Sequence, residues 1–567
     1  MLHVSRCRSL ATRNPEPETD HVKRQELIPI GLLLLLPFLA FGASLFHGFA
    51  PVDDWFLIVQ NLSIRGPTWE NLQTIFMSYD PELYIPLTLF SFQLNYLLGG
   101  LSPLSFHLTN ILLHGLNAFL VFRVLQLFTN KHELSLFAGI LFAVHPLNAE
   151  AVVWASGRKD LLSTFFSLLS IIFYILSVRG KPRFLVGSVV SHLVSLLSKA
   201  TAIILPAVLA LEAMLMERLS IKKIWKHLAP FILLSIVFIV IAFGGKGRVV
   251  SSSTMLETIL MAARSSVFYV QKFILPVNLT VFYEHRGPIL LDDPRFFVPL
   301  LLLIMIIVPC MIMIRRWPEL AFGCGFYLIT LSPTFLNFHK GSAMFFAVDR
   351  YAYLPSVGLL FLFVEGIHFL RTCTEKRSIA PLLRGAAVLI VTMLIGLSLH
   401  QTSTWSTPKK LYTHALALYP DSVVARTDLA RLLRDEGDFQ KAFDVLKEGL
   451  VYGDHPALHL TAGTILAASN RTPDAIVEFQ KAMTMDPLNP EPHFYLGSLW
   501  EQTGNMELAK GEYEKAVAMD PSYVIARVRL AGILKSQGAL MEAENHLREA
   551  LKWNPNSEEA RKAIREL

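Results

Sequence analysis

The feature that most constrains this chain is a series of apolar stretches long enough to cross a membrane. A helix needs about 20 mostly apolar residues to span the hydrocarbon core of a bilayer. Of the 567 residues, 53% are hydrophobic and only 17% are charged, which is unusual for a soluble globular protein. We therefore predict about eleven transmembrane helices, near 27–47, 104–127, 134–153, 160–178, 184–198, 200–216, 226–244, 296–314, 319–338, 350–370 and 382–400.

The first stretch follows a basic segment, residues 1–26, which we expect to be a cytoplasmic tail. The apolar core of a cleaved signal peptide has only about 7–15 residues, so we interpret this longer stretch as the first membrane anchor. The net charge of +6 is attributed to basic cytoplasmic loops rather than to nucleic-acid binding. The four cysteines show neither the spacing of metal ligands nor a disulfide framework.

Residues 256–275 are apolar but carry Arg264, Gln271 and Lys272, so their relation to the membrane is ambiguous. If this segment does not cross, the basic loops all lie in the cytoplasm with the N-terminus, as the positive-inside rule expects. These loops are 179–183, 217–227, 315–317 and 371–377. We therefore predict an interfacial helix on the outer face. The odd number of spans then places the C-terminal part of the chain outside as well.

Beyond about residue 400 the chain becomes charged and repetitive. Small or turn-forming residues recur every 33 or 34 positions in two series: Ala442, Ala475, Ala509 and Ala543, and Gly437, Asn470, Gly504 and Gly538. This period is typical of tetratricopeptide repeats, in which paired helices bury their faces by stacking on neighbours. We predict an all-α protein: a membrane helix bundle at 27–400, then an α-solenoid at 401–567 with about four repeats at 422–557.

The loops predicted to lie outside collect most of the unusual polar residues. They include "DDWFLIVQN" (53–61), "HPLNAEAVVWASGRKD" (145–160), Lys199 and "DRY" (349–351). A departing phosphate needs cations to hold its developing charge, and an attacking hydroxyl needs a carboxylate base within hydrogen-bond reach. A polyprenyl-phosphate sugar suits such a face, because its tail stays in the bilayer while its head lies at the outer surface.

Several motifs together resemble the transmembrane and tetratricopeptide-repeat O-mannosyltransferases and their bacterial relatives, glycosyltransferases of the C superfamily. They are "DDWFLIVQN" (53–61), "YIPLTLFSFQLNYLLGGLSPLSFHLTNILLH" (84–114), "HPLNAEAVVWASGRKDLL" (145–162), "LLSKA" (196–200) and "DRYAYLPS" (349–356). Two positions depart from the family pattern. Ile85 stands where relatives often carry Arg, and Ala200 stands where they carry Glu, so a charged contact of the relatives is missing here or is supplied elsewhere.

The resemblance implies an inverting glycosyltransferase that moves a sugar, mannose in the family, from a polyprenyl-phosphate donor to Ser or Thr hydroxyls of exported proteins. Asp53 is the expected base and Asp54 the second candidate, because an acid in the first outer loop has this role in the superfamily. On local sequence alone, the alternative is a pair of solvated acids. The candidate substrate-binding residues are His145, Glu150, Arg158, Lys159, Asp160, Lys199, Asp349, Arg350 and Tyr351.

Each of these residues also has a structural interpretation. Arg158, Lys159, Lys199 and Arg350 would hold the departing phosphate, but cations at a membrane surface also contact lipid headgroups or snorkel. His145 and Glu150 would lie at the donor site, or else at a helix end. Asp349 and Arg350 also fit an internal ion pair beside an aromatic belt.

In the second predicted span, four polar residues recur along one helix face: His107, Asn110, His114 and Asn117. Such a face points into the bundle rather than at lipid. We expect these side chains to form interhelical hydrogen bonds rather than to take part in catalysis.

No cofactor is required for the expected chemistry; Asp53, Asp54 and His145 are the residues that would gather a divalent cation, as in some C-superfamily enzymes. The expected partners are the lipid-linked donor, an acceptor polypeptide held by the repeats, and the bilayer. We expect a bacterial inner membrane with periplasmic repeats, because the repeats are few and lack cysteine. An endoplasmic reticulum membrane with lumenal repeats is the alternative. The alternative functions are a transferase with a lipid or polysaccharide acceptor, and a non-catalytic scaffold.

Overall fold

The computed structural model describes residues 20–51, 53–79, 83–245, 254–336, 338–340, 343–373, 380–555 and 557–567. Within these ranges the chain is almost entirely helical, which confirms an all-α membrane bundle followed by a repeat array. The predicted tail, 1–26, lies mostly outside the described residues. The helices of the membrane half are α1 Asp20–Phe41, α2 Trp69–Met77, α3 Pro86–Gly99, α4 Pro103–Thr129, α5 His132–Val144, α6 Ala149–Val153, α7 Arg158–Val178, α8 Phe184–Ser198, α9 Leu205–Leu215, α10 Ile221–Gly245, α11 Met255–Ile274, α12 Pro294–Ile312, α13 Pro318–Leu331, α14 Ser356–Cys373 and α15 Ala380–Thr404.

Prolines mark the start of several of these helices. Pro86, Pro103, Pro294 and Pro318 each occupy the first turn of a helix, where the missing N–H has no intrahelical partner to lose. The helix α4 ends at Asn130, whose φ of 56° is the left-handed conformation that closes many helices. The boundaries of the apolar segments are thus set by local residues as well as by hydrophobicity.

Seven segments among the described residues are long and apolar enough to cross a membrane: Pro29–Phe46, Pro103–Thr129, Ala155–Val178, Ile221–Ala242, Pro294–Ile312, Pro318–Leu336 and Arg384–Thr404. The pair His132–Val144 and Pro146–Val153, bent by 52°, would form an eighth, broken span.

The predicted count of eleven crossings is therefore not confirmed. The predictions at 184–198 and 200–216 correspond to short apolar helices. The 15 residues of α8 extend about 22 Å at 1.5 Å per residue, less than the hydrocarbon thickness. The prediction at 350–370 begins instead as a 3-10 turn, Asp349–Ala352.

The helix α11 corresponds to the segment for which we predicted an interfacial position. It is not among the segments that qualify as spans, and it packs beside α12. Thr254 and Glu257 form a capping box at its N-terminus, which satisfies backbone donors that would otherwise be costly near lipid. Its position at the membrane surface stays a prediction.

A small antiparallel sheet lies beside α11. Its strands are β1 Tyr283–Glu284, β2 His339–Lys340 and β3 Ala343–Ala347, in the order β1-β3-β2. Successive side chains on a strand point to opposite faces. On one side of β1, the Tyr283 hydroxyl donates to Asp349 in the membrane half at 2.8 Å. On the other side, Glu284 accepts from the Ser422 hydroxyl, at the start of the first repeat, at 2.9 Å.

The C-terminal part forms helix pairs with the predicted period. Its helices are α16 Pro408–Leu418, α17 Val423–Asp435, α18 Phe439–Leu450, α19 Pro456–Ala468, α20 Thr472–Met485, α21 Glu491–Gln502, α22 Met506–Met519, α23 Val524–Ser536, α24 Leu540–Trp553 and α25 Glu558–Arg565. The four recurring alanines are all fully buried: Ala442, Ala475, Ala509 and Ala543. The turn inside each pair has a positive φ, at Gly437, Asn470, Gly504 and Gly538, which explains why glycine or asparagine recurs there.

The repeats contact the same face of the bundle that carries the loop after α1. His414 hydrogen-bonds to the Leu279 carbonyl at 2.9 Å. At the far end of the array, Arg561 pairs with Glu70 on α2 at 3.2 Å. The two regions also share one hydrophobic core, which runs from α1 through Trp405 into α17 and α18. The repeats and the first outer loop therefore lie on one side of the bundle, a relation that does not depend on counting spans.

Candidate active site

Asp53 and Asp54 are neighbours in sequence but lie in different surroundings. The Asp53 side chain is 39% exposed and pairs with the Lys159 ammonium at 2.6 Å. Asp54 is only 1% exposed. The structure thus separates the two candidate bases into an accessible carboxylate and an inaccessible one.

Asp54 connects the first outer loop to the turn before α7. Its Oδ2 accepts from the Ala50 amide at 2.9 Å, and its Oδ1 accepts from both the amide and the hydroxyl of Ser156, at 2.8 and 2.5 Å. Burial raises the pKa of the Asp54 carboxyl to about 6, although the hydrogen bonds to Ser156 and Ala50 oppose this shift. Asp54 therefore holds the loop in place, and Asp53 is the more accessible of the two carboxylates.

Three cations and three acids come together from five separate segments. Besides the Asp53–Lys159 pair, Lys199 binds Asp160 at 2.5 Å, and the Arg350 guanidinium and backbone amide both donate to Glu150. We call these six residues the charge cluster. Burial alone lowers the pKa of Arg350, but the adjacent Glu150 carboxylate reverses this and raises it, so the guanidinium stays charged.

Two aromatic rings join the three pairs of the charge cluster. The Trp154 indole lies 4.9 Å from Lys159 Nζ and 4.9 Å from the Arg350 guanidinium. The Tyr351 ring lies 5.2 Å from Lys199 Nζ and 5.2 Å from the same guanidinium. The face of an aromatic ring attracts a cation through its quadrupole. The two rings therefore stabilise neighbouring cations that would otherwise repel each other.

Several polar atoms of this region have no hydrogen-bond partner within the described residues, although they are buried. They are Oδ2 of Asp160, Nε of Arg350 and Nε1 of Trp154. An unpaired buried donor or acceptor costs about 1–3 kcal/mol, and native proteins usually satisfy such groups with a partner or with water. One acceptor and two donors are therefore available to a polar ligand or to water.

Arg158 is not part of the charge cluster. Its guanidinium is fully buried and donates to Asn110 Oδ1, Asn95 Oδ1 at 2.9 Å and the Phe106 carbonyl at 2.8 Å. A further, longer contact reaches the Ser91 hydroxyl at 3.3 Å. We call this arrangement the Arg158 hub. It joins α3, α4 and α7, and it faces away from Lys159, the next residue.

His145 and Asp349 also lie outside the charge cluster. His145 accepts from the Leu147 amide at 3.2 Å and contacts the Phe273 carbonyl at 3.0 Å, with its ring stacked on that of Phe273. Both of its ring nitrogens are thus engaged at a helix end. Asp349 is buried and accepts from Tyr283; burial, and then the nearby Glu150 carboxylate, raise its pKa well above the ordinary value.

The polar face of the second predicted span forms the interhelical hydrogen bonds that we expected. His114 contacts the Tyr353 hydroxyl at 2.7 Å, Asn117 donates to the Leu161 carbonyl at 3.0 Å, and Asn110 donates to the Trp154 carbonyl at 2.8 Å. His107 makes a longer contact, 3.4 Å, with the Gly48 carbonyl. These bonds position α4 against the segments that carry the charge cluster.

The residues suggested for a divalent cation do not come together as a site. Asp54 and His145 are each engaged with backbone or hydroxyl groups, and no three His, Cys, Asp or Glu side chains among the described residues are grouped so as to hold a metal ion. Ile85 is buried at the start of α3, and Ala200 is half-buried beside Lys199. Neither Ile85 nor Ala200 therefore contributes a cation to the charge cluster.

Sequence reasoning missed Trp154 and Ser156, which organise the cluster and anchor Asp54. Both lie inside the motif at 145–162. A tryptophan in an apolar run is read as core, and at 2% exposure Trp154 is indeed buried. The signal that was available is the spacing: Trp154 and Ser156 lie within five residues of Lys159 at a helix start.

Comparison with known proteins gives relatives over most of the chain. Protein O-mannosyl-transferase TMTC3 of Mus musculus is 24% identical, covering 78% of this chain and 53% of its own length. Protein O-mannosyl-transferase F38B6.6 of Caenorhabditis elegans is 24% identical over 75% of this chain and 62% of its own. Protein O-mannosyl-transferase TMTC4 of Homo sapiens is 25% identical over 75% and 66%. The chain thus spans about half to two thirds of the length of these relatives.

The repeats match family models separately. Residues 460–523 and 504–567 each match a tetratricopeptide repeat model. The crystal structure of TTC0263, a tetratricopeptide protein of Thermus thermophilus, is 19% identical and covers 31% of this chain and 93% of that one, with a TM-score of 0.26. The resemblance inferred from the motifs is confirmed: this chain is similar, over about three quarters of its length, to TMTC protein O-mannosyl-transferases, and its C-terminal part matches tetratricopeptide-repeat models.

Proposed function

We propose that the chain is a membrane glycosyltransferase that moves a sugar, mannose by similarity to its named relatives, from a polyprenyl-phosphate donor to Ser or Thr hydroxyls of exported proteins. The hydroxyl oxygen attacks the anomeric carbon on the side opposite the phosphate. The bond from that carbon to the phosphate oxygen breaks, and the phosphate leaves on its lipid. The configuration at the anomeric carbon is inverted.

The observation that carries this proposal is the Asp53 carboxylate, 39% exposed and 2.6 Å from Lys159 within the charge cluster. A base must be within hydrogen-bond reach of the proton it removes, and it must be accessible to substrate. Asp53 is accessible and lies beside the cations proposed to hold the phosphate, which supports its role as the base, whereas Asp54 is buried and bonded to Ser156 and Ala50.

The departing phosphate would be held by Lys159, Lys199 and Arg350. Preorganised cations stabilise charge that develops in the transition state, most strongly where water is excluded. The exposed fraction of each of these side chains is 16% or less. Glu150 and Tyr351 orient Arg350, and Asp160 orients Lys199.

The remaining candidates act as supports in this proposal. Asp54 holds the loop that presents Asp53, and the Arg158 hub fixes the first turn of α7, which carries Lys159. Asp349 and His145 fix the segments that lead into Arg350 and α6. No cofactor is needed for the step as written, since the base and the charge stabilisation both come from side chains.

The donor tail would lie in the bilayer, and the repeats would hold an extended stretch of the acceptor over the charge cluster. Tetratricopeptide arrays offer a curved surface suited to extended segments. The face that carries the cluster is proposed to be non-cytoplasmic: the periplasm of a bacterial inner membrane, with the lumen of the endoplasmic reticulum as the alternative.

Proteoliposomes of the full chain, supplied with labelled polyprenyl-phosphate mannose and a protein extract from the same membranes, test this function. We expect labelled protein, with label released by treatment that cleaves O-linked sugar. Asp292→Asn, a change at an exposed acid in a segment of the same face, serves as the matched control for Asp53→Asn. Label found only in lipid or polysaccharide would favour the alternative acceptors. Absence of label in any fraction with correctly folded protein would leave the scaffold function.

A further inference from the structure

The loop between α18 and α19 in the first repeat exposes an unusual run of apolar side chains. Leu450, Val451 and Tyr452 are 45%, 83% and 50% exposed. Exposure alone does not identify a partner, because Leu488 in the corresponding turn of the second repeat is 85% exposed. What distinguishes the first loop is its position.

The loop contacts a segment that leads into a candidate membrane span. Arg286 Nη1 donates to the Asp421 carbonyl at 3.1 Å and, more weakly, to the Tyr452 carbonyl at 3.5 Å. The ring of the preceding residue, His285, packs edge-on against Phe296, with 5.1 Å between ring centroids. Phe296 lies in the first turn of α12, a candidate span. Two contacts therefore connect Tyr452 to the first turn of this candidate span.

The segment between Arg286 and α12 continues the apolar surface. Leu290 and Leu291 are 50% and 48% exposed, and only 11% of the residues of the span Pro294–Ile312 are buried by protein. Arg295, at the start of the span, has a side chain that is 55% exposed. Apolar side chains flanked by arginine at the end of a membrane helix match the boundary between acyl chains and headgroups.

We propose that the first repeat rests on the outer leaflet of the bilayer, with Val451 and Tyr452 inserted beside Leu290 and Leu291 at the acyl–headgroup boundary. We assign this surface to lipid, because Arg286, which the loop contacts, belongs to the segment that leads through the exposed Leu290 and Leu291 into the sparsely buried candidate span α12. Insertion of this loop would limit the tilting of the repeats away from the membrane.

The test uses three variants of the full chain in which the four native cysteines have been replaced. Each variant carries one new cysteine, to which one fluorescent probe is attached. Val451→Cys is the test position. Leu290→Cys, in the segment that leads into α12, is the positive control, and Leu488→Cys, equally exposed in the next repeat, is the negative control. Each protein is labelled with an environment-sensitive dye and reconstituted in phosphatidylcholine–phosphatidylglycerol vesicles, with and without nitroxide-labelled lipid.

We expect the dye at 451 to emit at shorter wavelength and to be quenched at least twofold by nitroxide lipid, as at 290, while the dye at 488 is unaffected. Equal behaviour at 451 and 488 would overturn the proposal. A shorter wavelength at 451 that nitroxide lipid does not quench, and that varies with protein density, would assign the patch to a second copy of the chain and would also overturn it.

Discussion

Arg158 and Lys159 are adjacent, yet they belong to two regions with opposite designs. In the Arg158 hub, a fully buried guanidinium donates only to neutral acceptors on α3 and α4. In the charge cluster, Lys159 faces an acid that is 39% exposed and shares a tryptophan with Arg350. Successive residues of an α-helix point about 100° apart, because there are 3.6 residues per turn, and this rotation sends the two side chains to different places.

The partners of a buried cation distinguish one that supports the fold from one that is available to a ligand. The hub has directional bonds to rigid neutral groups, and it leaves nothing for a ligand to replace. The cluster has cations whose partners are themselves charged, and buried polar atoms without partners lie beside them among the described residues. An anionic ligand can therefore compete for the cations of the charge cluster but not for Arg158 in the hub.

The largest expected effect is on catalysis at Asp53. Asp53→Asn removes the proposed base while keeping its shape, and general-base catalysis contributes roughly 10²–10⁴-fold. We expect transfer of labelled mannose to fall by about that factor while the amount of folded protein in membranes stays constant. Equal activity of Asp53→Asn and the wild type would remove Asp53 from the mechanism and weaken the contrast between the two regions.

A change in the Arg158 hub should instead lower stability. Arg158→Met leaves Asn95, Asn110 and the Phe106 carbonyl without their donor, and each buried group left unpaired costs about 1–3 kcal/mol. We expect the free energy of unfolding in detergent to fall by at least about 3 kcal/mol. Lys159→Met is the matched control, since Asp53 can turn to water when its partner is lost. A stable Arg158→Met protein with reduced donor affinity would place Arg158 in the substrate site after all.

The stability of the chain should depend on pH through Asp54. Its carboxyl has a pKa of about 6 in the folded state, against an ordinary value of 3.8, so the folded state binds the proton more tightly than the unfolded chain. The contribution of Asp54 to stability is then greatest below about pH 4, falls as pH rises from about 4 to 6, and levels off above that. A shift of this size corresponds to roughly 3 kcal/mol at 1.36 kcal/mol per pH unit. Asp54→Asn should flatten this part of the profile of unfolding against pH; an unchanged slope would contradict the assignment.

A smaller effect is expected at Lys199. Lys199→Met removes one of three cations around the proposed phosphate position, and Lys159 and Arg350 remain. We expect kcat/KM for the donor to fall about 10- to 100-fold, less than the 10²–10³-fold typical when a sole stabilising donor is lost. Lys226→Met, at an exposed lysine of α10, is the control. A loss at Lys199 no larger than at Lys226 would show that Lys199 does not stabilise the departing phosphate.

The repeats were the most predictable part of the chain. A period of 34 residues determines where each small residue lies in a helix pair, and the positive φ at Gly437 and Asn470 follows from the same alignment. The number of spans was less predictable. Hydropathy does not distinguish a short apolar helix inside the bundle, such as α8, from one that crosses it.

The sequence predicted the members of the charge cluster but not their arrangement, and it also predicted Arg158, His145 and Asp349, which lie outside the cluster. Asp53, Lys159 and Lys199 were identified as charges in segments expected on one face, and the structure brings them together. The orientation of Arg158 could not be read, because a shift of one residue in the start of α7 would exchange it with Lys159. Trp154 was missed because its role depends on two cations, one of which, Arg350, is distant in sequence.

The strand β1 has a consequence for how the protein is made. Glu284 is buried, and its hydrogen-bond donors, Ser422 and the Val424 amide, belong to the first repeat. The ribosome adds Ser422 138 residues after Glu284, so a nascent membrane bundle holds a carboxylate that still lacks its donors. Tyr283, beside it, bonds to Asp349, the neighbour of Arg350. The first repeat therefore completes the support of the segment that carries Arg350, and we expect a chain truncated before residue 422 to lose the transferase activity proposed above.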